Sequence, residues 1–222
     1  MTNEINIPNQ RLAPAVRRQQ ILNAAIAYFA EAGFAVHTRE LTRRIKVSQP
    51  LLYRYFSSKA ELIEAVLDSV FLTKWKDSWL DFLRDRNIPI RDRLISFYGS
   101  YVQATYQPEW LRIYFFAGLA GFDFNKQYVT LIVEQKIITT VCNELRHSLL
   151  TTEEIKKSPK SIQAREIELV WMLQSSLFYG MVRQSLLNSK PKISGSTRLN
   201  DAVDLFLAGA KEVYPRVCGF TS

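Results

Sequence analysis

Apolar residues recur at three- and four-residue intervals along most of the chain, and no stretch shows the strict alternation of a half-buried strand. From Pro14, the positions Ile21, Leu22, Ala25, Ile26, Phe29 and Ala30 form one stripe. They predict a helix opened by proline and ended at Gly33, where a left-handed residue is wanted. Thr38 as N-cap and Glu40 in the first turn predict a short second helix with Leu41 and Ile45 inward. Ser48-Gln49-Pro50 places a capping hydroxyl before a first-turn proline and predicts a third helix through Tyr55. That helix is too short to stand alone, so Leu52 and Phe56 must pack inward to hold it. Ser57-Ser58 then caps a long helix from Lys59, with Leu62, Ile63, Val66, Leu67 and Val70 buried, running past Phe71 to Trp75 or further.

Further helices are expected near 90–106, 109–120, 124–150, 162–188 and 198–213. Pro108, Gly118 and Gly121, and the stretches 151–160 and 188–197 separate them. Residues 1–13 are polar, contain Pro8 and lack periodicity, which predicts a disordered arm. The fold class is therefore all-α. The expected organisation is an arm over 1–13, a helix-turn-helix domain over 14–60 and a larger helical domain over 61–222.

Charge sharpens this picture. The net charge is +8, and residues 1–60 hold nine Lys or Arg against three Asp or Glu. The remaining 162 residues are nearly balanced. A local basic excess is the footprint of a polyanion-binding surface. The bland alternative is a solvated basic face.

Other chemistries find little support. Cys142, Cys218, His37 and His147 fit no zinc spacing, so no metal or cofactor is expected; Cys142 reads as helix-packed and Cys218 as part of a loose tail. There is no Gly-rich phosphate loop, and no clustered carboxylates or nucleophilic set of the kind a DNA-processing enzyme needs; the chain reads as a non-enzyme. No run reaches the roughly 18 apolar residues of a membrane span, and no signal-like segment opens the chain. The expected location is the cytoplasm. A lipid carrier with a membrane-binding head would need a larger exposed apolar face on that head.

Two short helices joined by a tight turn, basic outside and apolar inside, describe a helix-turn-helix. The run from Arg18 to Val66 resembles the N-terminal domain of the tetracycline-repressor (TetR) family. The matching positions are Ile21-Leu22, Ala24-Ala25, Phe29, Gly33-Phe34, Thr38, Leu41, Val47-Ser48, Leu52-Tyr53, Tyr55-Phe56, Lys59 and Leu62. Two departures stand out. Lys46 occupies the turn position where the family usually has glycine, and the loop from Gly33 to Leu41 is one residue shorter than is common.

The resemblance implies roles for the basic head. Ser48, Gln49, Pro50 and Leu51 open the recognition helix; Gln49 is placed to read adenine, and Pro50 and Leu51 to meet a thymine methyl. Tyr53 and Lys59 are expected at phosphates, as is Thr38, which caps at the same time. Arg54 and Tyr55 face the backbone or adjoining bases. Arg39 is placed to reach either a guanine or a phosphate. Arg43, Arg44 and Lys46 serve as phosphate anchors. Leu41, Ile45, Val47, Leu52 and Phe56 are core.

For the larger domain the resemblance implies a small-molecule effector pocket and a two-fold homodimer. Phe97, Tyr101, Trp110, Tyr114 and Gln174 are the first candidates for the pocket, with Glu134 and Arg112 as further polar groups; most of the aromatic residues there are ordinary core. Ser176 and Gly180 in 172–187, with Leu205 and Ala208 in the last helix, are the candidate dimer contacts, because small residues permit close helix approach and apolar stripes call for a partner. The implied function is a ligand-responsive regulator, a repressor bound as a homodimer to a palindromic operator on double-stranded DNA. The alternative is a regulator of the same fold that takes no ligand or that activates.

Overall fold

The computed structural model describes residues 13–220, and every regular element among them is helical. The expectation of a disordered arm falls, except for Ala13, outside the described residues. The helices are α1 (Pro14–Ala32), α2 (Thr38–Arg44), α3 (Gln49–Tyr55), α4 (Lys59–Phe71), α5 (Ser78–Arg84), α6 (Ile90–Thr105), α7 (Pro108–Leu119) and α8 (Phe124–Tyr128). A π-helical segment (Val129–Ile138) leads into α9 (Thr139–Leu149), followed by α10 (Thr152–Lys157), α11 (Ala164–Ser185) and α12 (Gly195–Val217).

The chain forms two compact units: Met1–Lys74 with Pro108–Asn125, and Trp75–Gln107 with Lys126–Ser222. Packing thus divides the chain elsewhere than the sequence boundary at 60/61. It groups α4 and α7 with the head, because Phe71 at the end of α4 packs edge-on against Trp110 of α7, ring centroids 4.9 Å apart.

In the first unit α1, α2, α3 and α4 enclose Ile21, Phe29, Leu41, Ile45, Leu52, Phe56 and Val66, all at most 1% exposed. Gly33 ends α1 at φ 73°, and a Cβ there would approach the Phe116 ring to 3.3 Å. Glycine is therefore favoured by its backbone angle, and a side chain there would also press on the Phe116 ring. The expected extension of α4 to Trp75 does not occur. The helix stops at Phe71; the Thr73 hydroxyl bonds back to the Ser69 carbonyl, and α5 starts afresh at Ser78.

In the second unit α5, α6, α9, α11 and α12 share a core containing Leu83, Leu94, Tyr98, Val141, Val170 and Tyr214. Two buried ion pairs tie it together. Arg93 donates to Glu144 at 2.6 Å and to the Leu83 carbonyl at 2.7 Å, while Arg86 donates to the same carboxylate at 3.0 and 3.1 Å. Arg146 donates to both oxygens of Glu166, at 2.5 and 2.7 Å, and Tyr214 donates to Glu166 at 2.8 Å.

Three sequence expectations need correction here. The stretch 151–160 is not a plain break: Thr151 and Glu154 form a capping box that starts α10. The helix expected over 124–150 carries a π segment, whose buried pairs Ile132 and Ile137, and Val133 and Ile138, recur every five residues rather than every 3.6. Cys218 is buried beside α12 rather than lying in a loose tail, and like Cys142 it is a free thiol. Burial pushes both thiols up to about 12, so neither is a ready nucleophile. No group of three metal-ligating side chains occurs among the described residues.

Candidate nucleic-acid interface

The turn between α2 and α3 is built by Lys46. Its φ is 54°, the left-handed conformation, and the neighbouring amides close on the end of α2. Val47 N donates to Thr42 O at 3.1 Å and Lys46 N to Arg43 O at 3.3 Å. That pair of bonds is a Schellman motif with lysine where glycine is usual. A left-handed side-chain-bearing residue costs about 1–2 kcal/mol.

After the turn, Ser48 Oγ accepts from Leu51 N at 3.3 Å and caps α3. Pro50 sits in the first turn, where its missing N–H is no loss. Leu52 and Phe56 point into the core, and Val47 is only half-buried, at the rim of the core to which it was assigned. The opposite face of α3 leaves Gln49, Pro50, Tyr53 and Arg54 exposed, with Leu51 and Tyr55 half-buried beside them. A helix of seven residues thus presents one polar and aromatic face outward on a rigid base.

Thr38 does not cap α2; His37 holds that position without a side-chain bond, and Thr38 is the first helical residue. Its hydroxyl instead lies 3.0 Å from the Tyr53 hydroxyl, linking α2 to the exposed face of α3. A shallow groove of about 980 Å³ runs between the two helices, lined by Thr38, Arg39, Arg43, Gln49 and Pro50 among others.

The arginines split into two kinds. Arg39 and Arg54 are exposed. Arg43 forms a fork with Glu40 at 2.6 and 3.0 Å, and Arg44 is bound to Glu31 and lies over the Tyr28 ring, 5.5 Å from its centroid. The Arg43 hydrogen bond holds Glu40 below the usual carboxylate range, and the Arg44 hydrogen bond does the same for Glu31. Arg44 therefore braces α2 against α1. At the start of α4, Ser58 Oγ caps Glu61 N at 3.1 Å, and Glu61 receives both the amide and the hydroxyl of Ser57 at 2.6 Å. Lys59 is half-buried in that first turn. Arg18, absent from the sequence candidates, lies exposed with its guanidinium 4.6 Å from the Phe56 ring centroid.

Known proteins share this head. Residues 21–66 match the model of bacterial regulatory proteins of the tetR family. Over these residues the chain is similar to that family's N-terminal domain. The tetracycline repressor protein class G of Vibrio anguillarum is 28% identical over 85 residues, 35% of this chain and 40% of that protein. The transcriptional activator FasR of Mycolicibacterium smegmatis is 44% identical over 63 residues, 28% of this chain and 29% of that protein. The matches thus span less than half of either curated relative. A TetR-like transcriptional regulator from Rhodococcus sp. RHA1 superposes with a TM-score of 0.65 at 21% identity, covering 90% of this chain and all of that one. A tetR-family regulator from Streptomyces coelicolor gives 0.56 at 21% identity, covering 94% and 87%. At that identity the shared property is the all-α fold.

The five effector candidates fall in different units. Phe97, Tyr101 and Gln174 are buried in the second; Trp110 and Tyr114 are stacked on each other in the first, 5.1 Å apart. In the second unit, Phe97 stacks on Tyr101 at 5.8 Å, Tyr101 shares a 2.7 Å hydroxyl bond with Tyr128, and Gln174 donates to Tyr106 at 2.7 Å. Tyr128, the last residue of α8, was not among the sequence candidates. Glu134 is half-buried and Arg112 exposed. The dimer candidates Ser176, Leu205 and Ala208 are exposed and Gly180 half-buried, beside Met172 at 65% and Leu205 at 79% exposure. No helix among the described residues is long and apolar enough to cross a membrane.

Proposed function

We propose that the chain is a sequence-specific DNA-binding transcription regulator that works as a homodimer on a palindromic operator and answers to a small molecule. The observation that carries this reading is α3: a capped, seven-residue helix pinned at Leu52 and Phe56, with Gln49, Pro50 and Tyr53 presented together outward. Such a helix enters the major groove, where Gln49 reads adenine through its amide and Pro50 and Leu51 meet a thymine methyl. Thr38, Tyr53 and Lys59 take phosphates; Arg39 and Arg54 reach base edges or the backbone. Arg43 and Lys46 add charge to the same face, while Arg44 acts by holding α2 in place.

Two-fold pairing fits the exposed apolar stripe of Met172, Ser176, Tyr179 and Gly180 on α11 and of Leu205 and Ala208 on α12. Dimer symmetry then sets two half-sites about one helical turn apart, roughly 34–36 Å. A ligand that prefers one arrangement of the dimer changes DNA affinity by that preference.

Repression is the first reading of the sign, and the higher identity of the head to a named activator, 44% over 63 residues, raises a second, activation. A site selected from random duplexes and placed beside a reporter promoter separates them. Transcript lowered by the protein means repressor, and transcript raised means activator. Unchanged transcript in the presence of a bound site removes the regulator reading.

A further inference from the structure

The second unit holds a groove of about 920 Å³ between α6, the end of α11 and the start of α12. That volume is in the range of about 300–1,000 Å³ typical of small-molecule sites. Its walls are mainly apolar, from Ile95, Val102, Leu177 and Leu199; Ser176, Tyr179 and Gly180 of the face assigned to pairing form its α11 side, so the groove opens at the dimer seam, and none of the five effector candidates lines it. Arg198 is one of two arginines in the lining. It is half-buried, its Nη2 donates to the neutral amide oxygen of Gln184 at 2.8 Å, and its Nε is buried without a partner. Among the described residues no carboxylate forms an ion pair with it.

A half-buried guanidinium with one buried N–H unpaired and no counter-charge is best satisfied by a planar oxyanion. The surroundings agree. Arg183 lines the same groove, and so do Gly195 and Ser196 at the positive end of the α12 dipole, whose first turn has no acidic residue.

We infer that this groove binds an organic anion with an apolar body, its oxyanion held at Arg198 and its body lying along α6 and α11. The inference rests on the regulator reading only for its consequence, a change in DNA affinity. Binding itself is read on the protein alone, so the two fail separately.

Thermal unfolding of the full chain with octanoate, and with 1-octanol as the uncharged counterpart, tests it. Octanoate raises Tm by about 5 °C or more at roughly a hundredfold excess over its Kd, and octanol gives no comparable rise. Arg198→Gln loses the octanoate shift while keeping its own cooperative transition. Ser100→Trp, which fills the groove and leaves the guanidinium in place, loses it as well and serves alone if Arg198→Gln does not fold. Equal shifts with octanoate and octanol, no shift with either, or an undiminished octanoate shift in the variants would overturn the proposal.

Discussion

The hydroxyl of Thr38 stands 3.0 Å from the hydroxyl of Tyr53 and joins the first turn of α2 to the outer face of α3. Tyr53 is 43% exposed, so the pair lies at the surface, and each oxygen can still donate or accept elsewhere. The link orients the tyrosine ring before any DNA arrives. Tyr53→Phe removes the link and the phosphate donor together. DNA affinity should drop about tenfold, close to the worth of one charge-assisted hydrogen bond. Tm should stay within about 2 °C, as for other surface changes. A binding isotherm on a selected duplex beside a melting curve measures both.

Lys46 sets backbone strain against charge. Lys46→Gly relieves a left-handed lysine and should stabilise the protein by about 1 kcal/mol, seen as a Tm rise of roughly 2–4 °C. It also removes one cation from the DNA-facing turn. The slope of log K against log salt should become shallower by about one. A higher Tm with an unchanged salt slope would show that the ammonium never reaches a phosphate.

Glu144 serves two guanidiniums, one of them fully buried. Glu144→Gln leaves Arg93 inside the second unit without its counter-charge and should cost about 3–5 kcal/mol, read in denaturant titration. Burial pushes the Glu144 carboxyl up, and the guanidiniums of Arg86 and Arg93 outweigh it and hold it below the ordinary 4.5. Burial and Arg146 act on Glu166 in the same way, with the same net direction. Between the lowered folded value and 4.5 the unfolded chain binds more protons than the folded one. The stabilisation is therefore full above pH 4.5 and is lost as the pH falls through the folded values. Tm against pH should drop below 4.5, and the drop should be shallower in Glu166→Gln, which has one such carboxylate fewer.

Leu205 is 79% exposed on the stripe assigned to the dimer. Leu205→Glu should leave the helical content intact, halve the mass seen by sedimentation and weaken binding to a two-half-site duplex by a hundredfold or more; losing avidity alone gives about 10²–10⁴. A native dimer in this variant would place the contact on another face.

Both ends of α1 and the starts of α3 and α4 were legible in the sequence because they are written in local chemistry: Pro14, Gly33, Ser48, Ser58. Lys46 was legible as a departure, and its backbone angle confirms that the turn keeps its left-handed form. Thr38 was misread as a cap because its proper partner, Tyr53, lies 15 residues away, beyond any local pattern. The π segment escaped because its buried residues follow a longer period than the one sought. The effector candidates were chosen by residue type, and aromatic residues fill the core of both units; the groove beside Arg198 is lined instead by serines, glycines and short apolar residues. The small residues Ser96, Gly99 and Ser100 on one helix were the available signal.

Selection of DNA from a random pool at near-physiological salt, with native protein beside Gln49→Ala, tests the central claim most directly. The account predicts that native protein enriches a palindrome with half-sites one helical turn apart. It also predicts that the variant loses preference at one base pair in each half-site while keeping the spacing. Binding without any enriched sequence, fading alike for both proteins as salt rises, would contradict it and leave the head a non-specific basic surface.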